Sequence, residues 1–314
     1  KAFDSVNHDI ILLKLKTIYN INGCLLAFIS NYLSGRWQQV VINGSFSDRL
    51  PVLSGVPQGS ILGPSLFVLF INDMTFGLNE GTSIMLYADD TKIWREMVVE
   101  EDYDILQKDI DYLVDWAIQN KMRFHPSKCK VLSISLFRPP LIDFLPCIQY
   151  FYSLGSSLLD YVSSEKDLGI IMNSTLNFND QANSLYSKAN QKFGMLKRTC
   201  HFVNDTNKRR ALYLTLVRSL FEHCPMVWRP ASKATVEKLE SLQKRAIKWI
   251  RKDKSVSYST DDLYYIHCKQ LNILPIKFRF DFHDLKFFHC IVYNFSCVKL
   301  PEIFGLHKVE INTS

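Results

Sequence analysis

A chain of 314 residues exceeds one average domain, and a hydrophobic content of 47% is enough to bury a core in each of two units. Gly and Pro contribute only 12 and 11 residues, and there is no low-complexity tract or short repeat, which excludes collagen-like, solenoid and disordered classes. The net charge of +6 is modest as an average but is unevenly distributed.

Residues 181 to 254 hold 17 Lys and Arg against 5 Asp and Glu, whereas the preceding 180 residues hold 14 against 20 and the last 60 hold 6 of each. The positive charge belongs to one stretch, as expected if one subdomain grips a polyanion. The chain begins with Lys1, shows no signal-peptide pattern, and has no apolar run longer than Ser65 to Ile71, too short for a bilayer. The expectation is a protein whose natural start lies upstream, with no membrane span, neither secreted nor anchored. Cys24, Cys129, Cys147, Cys200, Cys224, Cys268, Cys290 and Cys297 never form a CxxC pair, so an intracellular, reduced protein fits best. The doublets His223-Cys224, His267-Cys268 and His289-Cys290 match no zinc module in their spacing.

In chain order, residues 9 to 19 and 24 to 33 have helical spacing, separated by Asn22-Gly23. Gln38 to Ile42 reads as a strand, Asn43-Gly44 as a hairpin turn, and Ser47 to Pro51 as the partner. Residues 65 to 73 suit a buried helix. Ser83 to Tyr87 and Thr91 to Trp94 flank Ala88-Asp89-Asp90, which predicts a hairpin with both acids at its turn. Glu101 to Asn120 is amphipathic with Ile105, Leu106, Ile110, Leu113 and Ala117 inward. Val131 to Leu136 and Leu168 to Met172 read as strands, 138 to 160 as irregular, and the chain from 181 onward as helical. Within it Leu239, Leu242, Ala246, Ile247 and Ile250 form an apolar stripe, with Lys244, Lys248, Arg251 and Lys252 largely on other faces.

Three features carry chemistry. Met85-Leu86-Tyr87-Ala88-Asp89-Asp90-Thr91 delivers two adjacent carboxylates to a turn; charges about 4 Å apart repel by roughly 4 kcal/mol at an effective dielectric near 20, and a divalent ion removes that penalty. Asp261-Asp262 warns against over-reading such a pair, because it precedes an apolar helix and is explained as first-turn acid. Ser54-Gly55-Val56-Pro57-Gln58-Gly59-Ser60-Ile61-Leu62-Gly63-Pro64 is either a plain loop-to-helix connection or a loop that lets backbone and the Gln58 amide approach a ligand. Lys188, Lys192, Lys197, Arg198, Lys208, Arg209 and Arg210, with the cations of the amphipathic helix, are either a solvated surface or a phosphate-binding face.

Taken with Lys1-Ala2-Phe3-Asp4-Ser5-Val6-Asn7-His8, these features resemble the reverse transcriptases of non-LTR, Jockey-like retrotransposons. KAFDSVNH is similar to the end of their motif A, GVPQGSILGP to motif B and YADD to motif C. His125 to Val131 resembles motif D, Glu165 to Ile170 motif E, and Leu212 to Ile250 the helical thumb. The resemblance weakens beyond about residue 295. It implies an α+β right-hand polymerase palm, an antiparallel sheet with packed helices, followed by an all-helical thumb and C-terminal region. The expected domains are a palm over 1–180, a basic thumb over 181–254 and a helical extension over 255–314. Implied roles are metal binding and catalysis for Asp89 and Asp90, a general acid in Lys128, and nucleotide contact through Phe3, Pro57, Gln58 and Gly59, Phe3 excluding a 2′-hydroxyl. Nucleic acid is expected at Lys188, Lys192, Lys197, Arg198, Lys244, Lys248, Arg251 and Lys252.

The implied cofactor is a pair of Mg²⁺ ions, or Mn²⁺ in their place. The implied partners are an RNA template, a DNA primer, target DNA and deoxynucleoside triphosphates, in a nuclear or cytoplasmic ribonucleoprotein. In that family the bridging motif A aspartate precedes the lysine equivalent to Lys1, so the isolated segment is expected to be inactive. Asp4 follows the Phe3 position and is expected on the opposite face of a strand, as a turn or capping acid. The alternative is a non-catalytic nucleic-acid-binding remnant; an intron maturase or telomerase fits the motif order less well.

Overall fold

The computed structural model describes residues 2–135, 150–230, 232–253, 255–258 and 261–293. The chain divides into two compact units, one of Lys1–Val131 with Pro139–Val162 and one of Leu132–Arg138 with Ser163–Ser314. Helices and short ladders are mixed, giving the α+β class.

In the first unit, Asn7 caps α1 (His8–Thr17) by accepting from the Ile10 amide at 3.1 Å, and α2 (Gly23–Leu33) follows. Next comes a two-tier hairpin in which β1 (Trp37–Gln38) pairs with β4 (Leu50–Pro51), and β2 (Val41–Ile42) with β3 (Ser45–Phe46). Asn43 and Gly44 both have positive φ, the backbone a type I′ turn needs. Helix α3 (Leu62–Ile71) buries Gly63, Leu66, Phe67, Phe70 and Ile71, the stripe of one helical face, and leaves Val68 exposed, so the helix expected to be buried is buried on one side only. Around it packs the main core, which includes Ile11, Leu15, Phe67, Phe70 and Trp116. Lys14 is buried there: its ammonium donates to Phe70 O at 2.8 Å and to Asp73 Oδ1 at 2.7 Å, and burial draws its pKa down against the pull of Asp73.

The unit continues with hairpin β5 (Thr82–Tyr87) and β6 (Asp90–Arg95), helix α4 (Glu101–Gln119), and β7 (Lys130–Val131). Helix α4 buries Leu106, Ile110, Leu113, Trp116 and Ala117, while Ile105 is only half-buried. The strand expected over Val131 to Leu136 is confined to β7, with Leu136 outside the described residues. Residues 138 to 149 of the segment expected to be irregular also lie outside them, but 150 to 160 are ordered into strands. There β8 (Ser153–Leu154) pairs with β9 (Ser157–Leu158), and β10 (Asp160–Tyr161) runs parallel to β7. Two-residue strands carry too little periodicity to be seen in sequence. Among the described residues all strands form two-stranded ladders, six in number, in place of the single antiparallel sheet expected.

The second unit opens with hairpin β11 (Ser164–Asp167) and β12 (Ile170–Asn173). Leu168 and Gly169 both take positive φ and form its turn, so Leu168, expected inside a strand, does not pair. Helices α5 (Asn179–Thr199), α6 (Thr206–Leu216), α7 (Pro225–Trp228), α8 (Lys233–Arg251), α9 (Asp261–Gln270) and α10 (Ile276–Val292) follow. The predicted stripe of α8 is fully buried, packed with Tyr213, Trp228, Tyr264 and Phe280. No helix among the described residues is long and apolar enough to cross a membrane.

A polar network runs through this core. Gln243, 0% exposed, accepts from Tyr213 Oη at 3.1 Å and from Arg218, and donates to Tyr264 Oη at 2.8 Å and Leu274 O at 3.0 Å. Removing its amide strands buried donors at a cost of about 1–3 kcal/mol each. Gln243→Leu is therefore expected to destabilise the second unit by about 3 kcal/mol or more, read as a lower denaturant midpoint; an unchanged midpoint would mean that the network is dispensable.

Candidate active site

The acidic pair sits at the tip of the β5–β6 hairpin. The register pairs Tyr87 with Asp90, Leu86 with Thr91 and Ile84 with Ile93, so the loop proper is Ala88-Asp89 and Asp90 is the first residue of β6. Alternation turns Ile84, Leu86 and Ile93 onto the main core, whereas Met85 and Tyr87 are 65% and 67% exposed. Both aspartates are exposed. Ala88 has φ +52°, at the loop position where a type II′ turn prefers glycine; a left-handed L-residue costs about 1–2 kcal/mol. That strain is held at the acidic tip by the paired strands on either side.

The base of the hairpin is clamped. Arg95 donates to Asp102 Oδ1 at 2.8 Å, to Glu80 O at 2.8 Å and to Thr82 Oγ1 at 3.1 Å, so one guanidinium holds both strand ends. Asp102, in the first turn of α4, also accepts from the Val98 and Val99 amides at 2.9 and 3.0 Å. These backbone bonds from Val99 and then the Arg95 guanidinium hold its carboxyl down at about 2. Neither residue was singled out in the sequence; the only signal was an acid in the first turn of a helix.

A second group forms where residues 2–8 meet residues 54–58. Gly55 N donates to Val6 O at 2.8 Å and Val56 N to Phe3 O at 2.9 Å; Ser54 Oγ donates to Asp4 O at 2.9 Å, and His8 Nε2 contacts Gly55 O at 2.8 Å. Gly55 has φ +92°, and a Cβ there would lie 2.8 Å from Asp4 Cα. Phe3 stacks on Phe67 with centroids 4.2 Å apart. Gln58 and Gly59 are exposed and Pro57 half-buried. Ala2–Ser5 is a 3-10 helix, so the strand alternation expected to separate Phe3 from Asp4 does not apply. Asp4 is an acid of that turn, one of the two roles expected for it, and its Oδ1 also accepts from Gln58 Nε2 at 2.8 Å.

Lys128 ends a 3-10 turn (Pro126–Lys128) and is exposed. It stands beside a smaller core containing Leu106, Ile110, Tyr152 and Leu159, and no hydrogen bond or ion pair among the described residues joins it to the acids. Phe3, Pro57, Gln58 and Gly59 are thus brought together, and Phe3, Val56, Leu62, Ile84, Leu86 and Ile93 line one hydrophobic core. Among the described residues there is no group of three or more His, Cys, Asp or Glu suited to a metal ion, so the oxygen donors at the tip are the Asp89 and Asp90 pair.

In the second unit, Lys188, Lys192, Lys197 and Arg198 of α5 are exposed, and Lys197 lies 5.5 Å from the Phe193 ring centroid. Lys244 forms an ion pair with Asp261 at 2.8 Å, Lys248 lies over Tyr258, Arg251 donates to Gln270 at 2.6 Å, and Lys252 to Asn204. Arg209 and Arg210 do not contribute a phosphate surface as expected. Arg209 is buried against Trp249 with its guanidinium on the Val203, Trp249 and His201 carbonyls, and Arg210 donates to Leu271 and Asn272 O.

A family model described as reverse transcriptase (RNA-dependent DNA polymerase) matches residues 1–202. The chain belongs to the reverse transcriptase family. It is 28% identical over 260 residues to the RNA-directed DNA polymerase from mobile element jockey of Drosophila funebris, covering 80% of this chain and 27% of that protein. Identity to the probable RNA-directed DNA polymerase from transposon BS of Drosophila melanogaster is 24% over 305 residues, covering 91% and 31%. To that of transposon X-element, from the same species, it is 24% over 262 residues, covering 80% and 27%. The resemblance to Jockey-like non-LTR reverse transcriptases is therefore met, and this reverse transcriptase chain spans about a third or less of the length of these relatives.

The low pKa of Asp102 sets a pH window. Its folded value lies below the ordinary carboxylate value, so the stability it lends is complete above about pH 4 and is lost as pH falls toward 2. Asp102→Asn is expected to flatten the acid limb of stability between pH 4 and 2; a limb as steep as that of the unmodified chain would remove Asp102 as the clamp.

Proposed function

We propose that this chain is the polymerase segment of a non-LTR retrotransposon reverse transcriptase and performs template-directed nucleotidyl transfer within its parent protein. The single supporting observation is the shared core: the segments carrying Phe3, Gln58 and Asp89-Asp90 are anchored on the same apolar side chains, with the functional groups left at the surface. On this reading residues 1–180 act as palm, 181–254 as a basic thumb and 255–314 as a helical extension.

Asp89 and Asp90 fit a magnesium or manganese ion, because such hard cations are held by one or two carboxylates with substrate phosphates completing the shell. When bound, the ions supply charge neutralisation to the attacking and leaving oxygens of a phosphoryl transfer. The chain's own residues do the rest. Exposure of both acids admits a polyphosphate. Phe3, its ring backed by Phe67, offers a flat wall under the sugar and crowds a 2′-hydroxyl. Gln58, with Pro57 and Gly59, contacts template and nucleotide, exchanging its bond to Asp4 for one to substrate. Lys128 donates a proton to the leaving pyrophosphate. Lys188 and Lys192, without carboxylate partners among the described residues, hold phosphates of template RNA, primer or target DNA. The parent protein acts in a nuclear or cytoplasmic ribonucleoprotein. A second reading is a binding remnant without synthesis; among the described residues the tip offers the two carboxylates of Asp89 and Asp90.

Two measurements test the proposal. In the full-length element protein, Asp89→Ala and Asp90→Ala are each expected to lower primer extension by about 10²-fold or more, on the scale of losing a preorganised charge-stabilising group; normal extension by Asp89→Ala would end the polymerase reading. Phe3→Val is expected to weaken discrimination against ribonucleotides by about 10-fold or more, and unchanged discrimination would remove Phe3 from that role.

A further inference from the structure

Helix α10 is apolar on two opposite sides. Ile276 and Phe280 are buried in the core of the second unit. On the other side Phe278, Phe282, Leu285, His289 and Val292 recur at alternating steps of four and three, the spacing by which one helix seats its side chains against another. All five are exposed, Leu285 to 69% and Val292 to 38%. His289 is the one polar member, and its ring packs on Tyr293 with centroids 4.4 Å apart. Phe288 and Tyr293, also exposed, widen the stripe on either flank, and the Phe278 ring lies 5.7 Å from that of Tyr265 on α9.

The helix is fixed about its own axis. Glu222 accepts from Arg279 Nε at 2.8 Å and meets His283 Nε2 at 2.8 Å, whereas Arg229 donates to Asp281 Oδ1 at 2.7 Å and also pairs with Asp284. At 3.6 residues per turn, Arg279 and His283 lie on one flank of the buried side and Asp281 and Asp284 on the other. A roll that turned the stripe inward would break both sets of ties. The outward stripe is therefore a set feature of the fold, not one of several orientations of a loosely held helix.

Aromatic side chains bring roughly 150–250 Å² each, so at these exposures the stripe and its flanks leave about 500 Å² of apolar surface in water. That is the upper range for a patch on a monomer. Two such stripes laid face to face would hide about 1,000 Å² in total, the size a specific protein contact needs. The spacing is also nearly symmetric about Leu285: Phe278 and Val292 lie seven residues to either side, Phe282 and His289 three and four. An antiparallel copy then sets Leu285 on Leu285, Phe278 on Val292 and Phe282 on His289, the self-complementary contact that a two-fold axis requires. A partner of different sequence would not call for that symmetry. We propose that the outer stripe of α10 is a homodimer interface, covered by the α10 stripe of a second copy of this chain running antiparallel. The contact is independent of the acidic hairpin and of any nucleic acid.

The test is the mass in solution of the whole 314-residue chain, measured by sedimentation equilibrium at tens of micromolar. The unmodified chain is expected to sediment at twice its monomer mass, and Leu285→Asp at the monomer mass with unchanged helix content. Should that variant fail to fold, Phe282→Gln is expected to give the same monomer. Orientation is read by mixing: F278C and V292C chains, oxidised mildly together, are expected to give more disulfide-linked dimer than either alone or than the unmodified chain. An unmodified chain that sediments as a monomer would overturn the proposal, and so would a Leu285→Asp chain that stays dimeric. A monomeric chain that loses helix content on Leu285→Asp would overturn it too, because the stripe would then pack within its own chain. Cross-linking of the F278C chain alone in equal yield would overturn the antiparallel pairing.

Discussion

A Cβ on Gly55 would stand 2.8 Å from Asp4 Cα, so the loop before α3 can lie against residues 3 to 8 only because that position is glycine. From this contact the placement of the Gln58 loop follows. Val56 donates to the Phe3 carbonyl and enters the core, Pro57 to Gly59 emerge at the surface, and Gln58 meets Asp4. Phe3, on a segment too short to order itself, is fixed by ring stacking on Phe67 and by this backbone pairing. Gly63 repeats the device in the first turn of α3, where a Cβ would fall 2.5 Å from Pro57 O. Two glycines, serving close approach rather than flexibility, hold the loop in place.

The acidic hairpin is anchored differently. Its strands present Ile84, Leu86 and Ile93 to the same core, and its base is tied by Arg95 and Asp102. The tip has no such support and carries the backbone strain at Ala88. Strain of this kind concentrates where chemistry fixes the geometry of a turn, and it coincides here with the carboxylates that the family resemblance singled out.

What could be read in advance depended on periodicity and turn chemistry. The apolar stripe of α8, the Asn43-Gly44 turn and the hairpin around Asp89 were legible because each carries a repeat or a turn signature. Strands β8 to β10 were not, since two-residue pairs leave no repeat to detect. Leu168 was assigned to a strand by its hydrophobicity, yet the neighbouring Gly169 makes it a turn residue. The basic stretch was legible as charge but not as function: nothing in the order of residues shows that Arg209 turns inward onto carbonyls or that Lys244 meets Asp261, because both partners are distant in sequence. The Asp4 to Gln58 bond was hidden for the same reason.

The Arg95 clamp has a mechanical corollary. Five residue pairs, about 17 Å of strand, separate it from the tip, so the hairpin is a beam pinned at one end and resting on a greasy support partway along. Trimming the support, for instance at Leu86, would leave the beam intact and its root fixed while letting the far end tilt. The chain would then stay folded and its acids present but misaimed, a failure that a check of folding alone would not reveal.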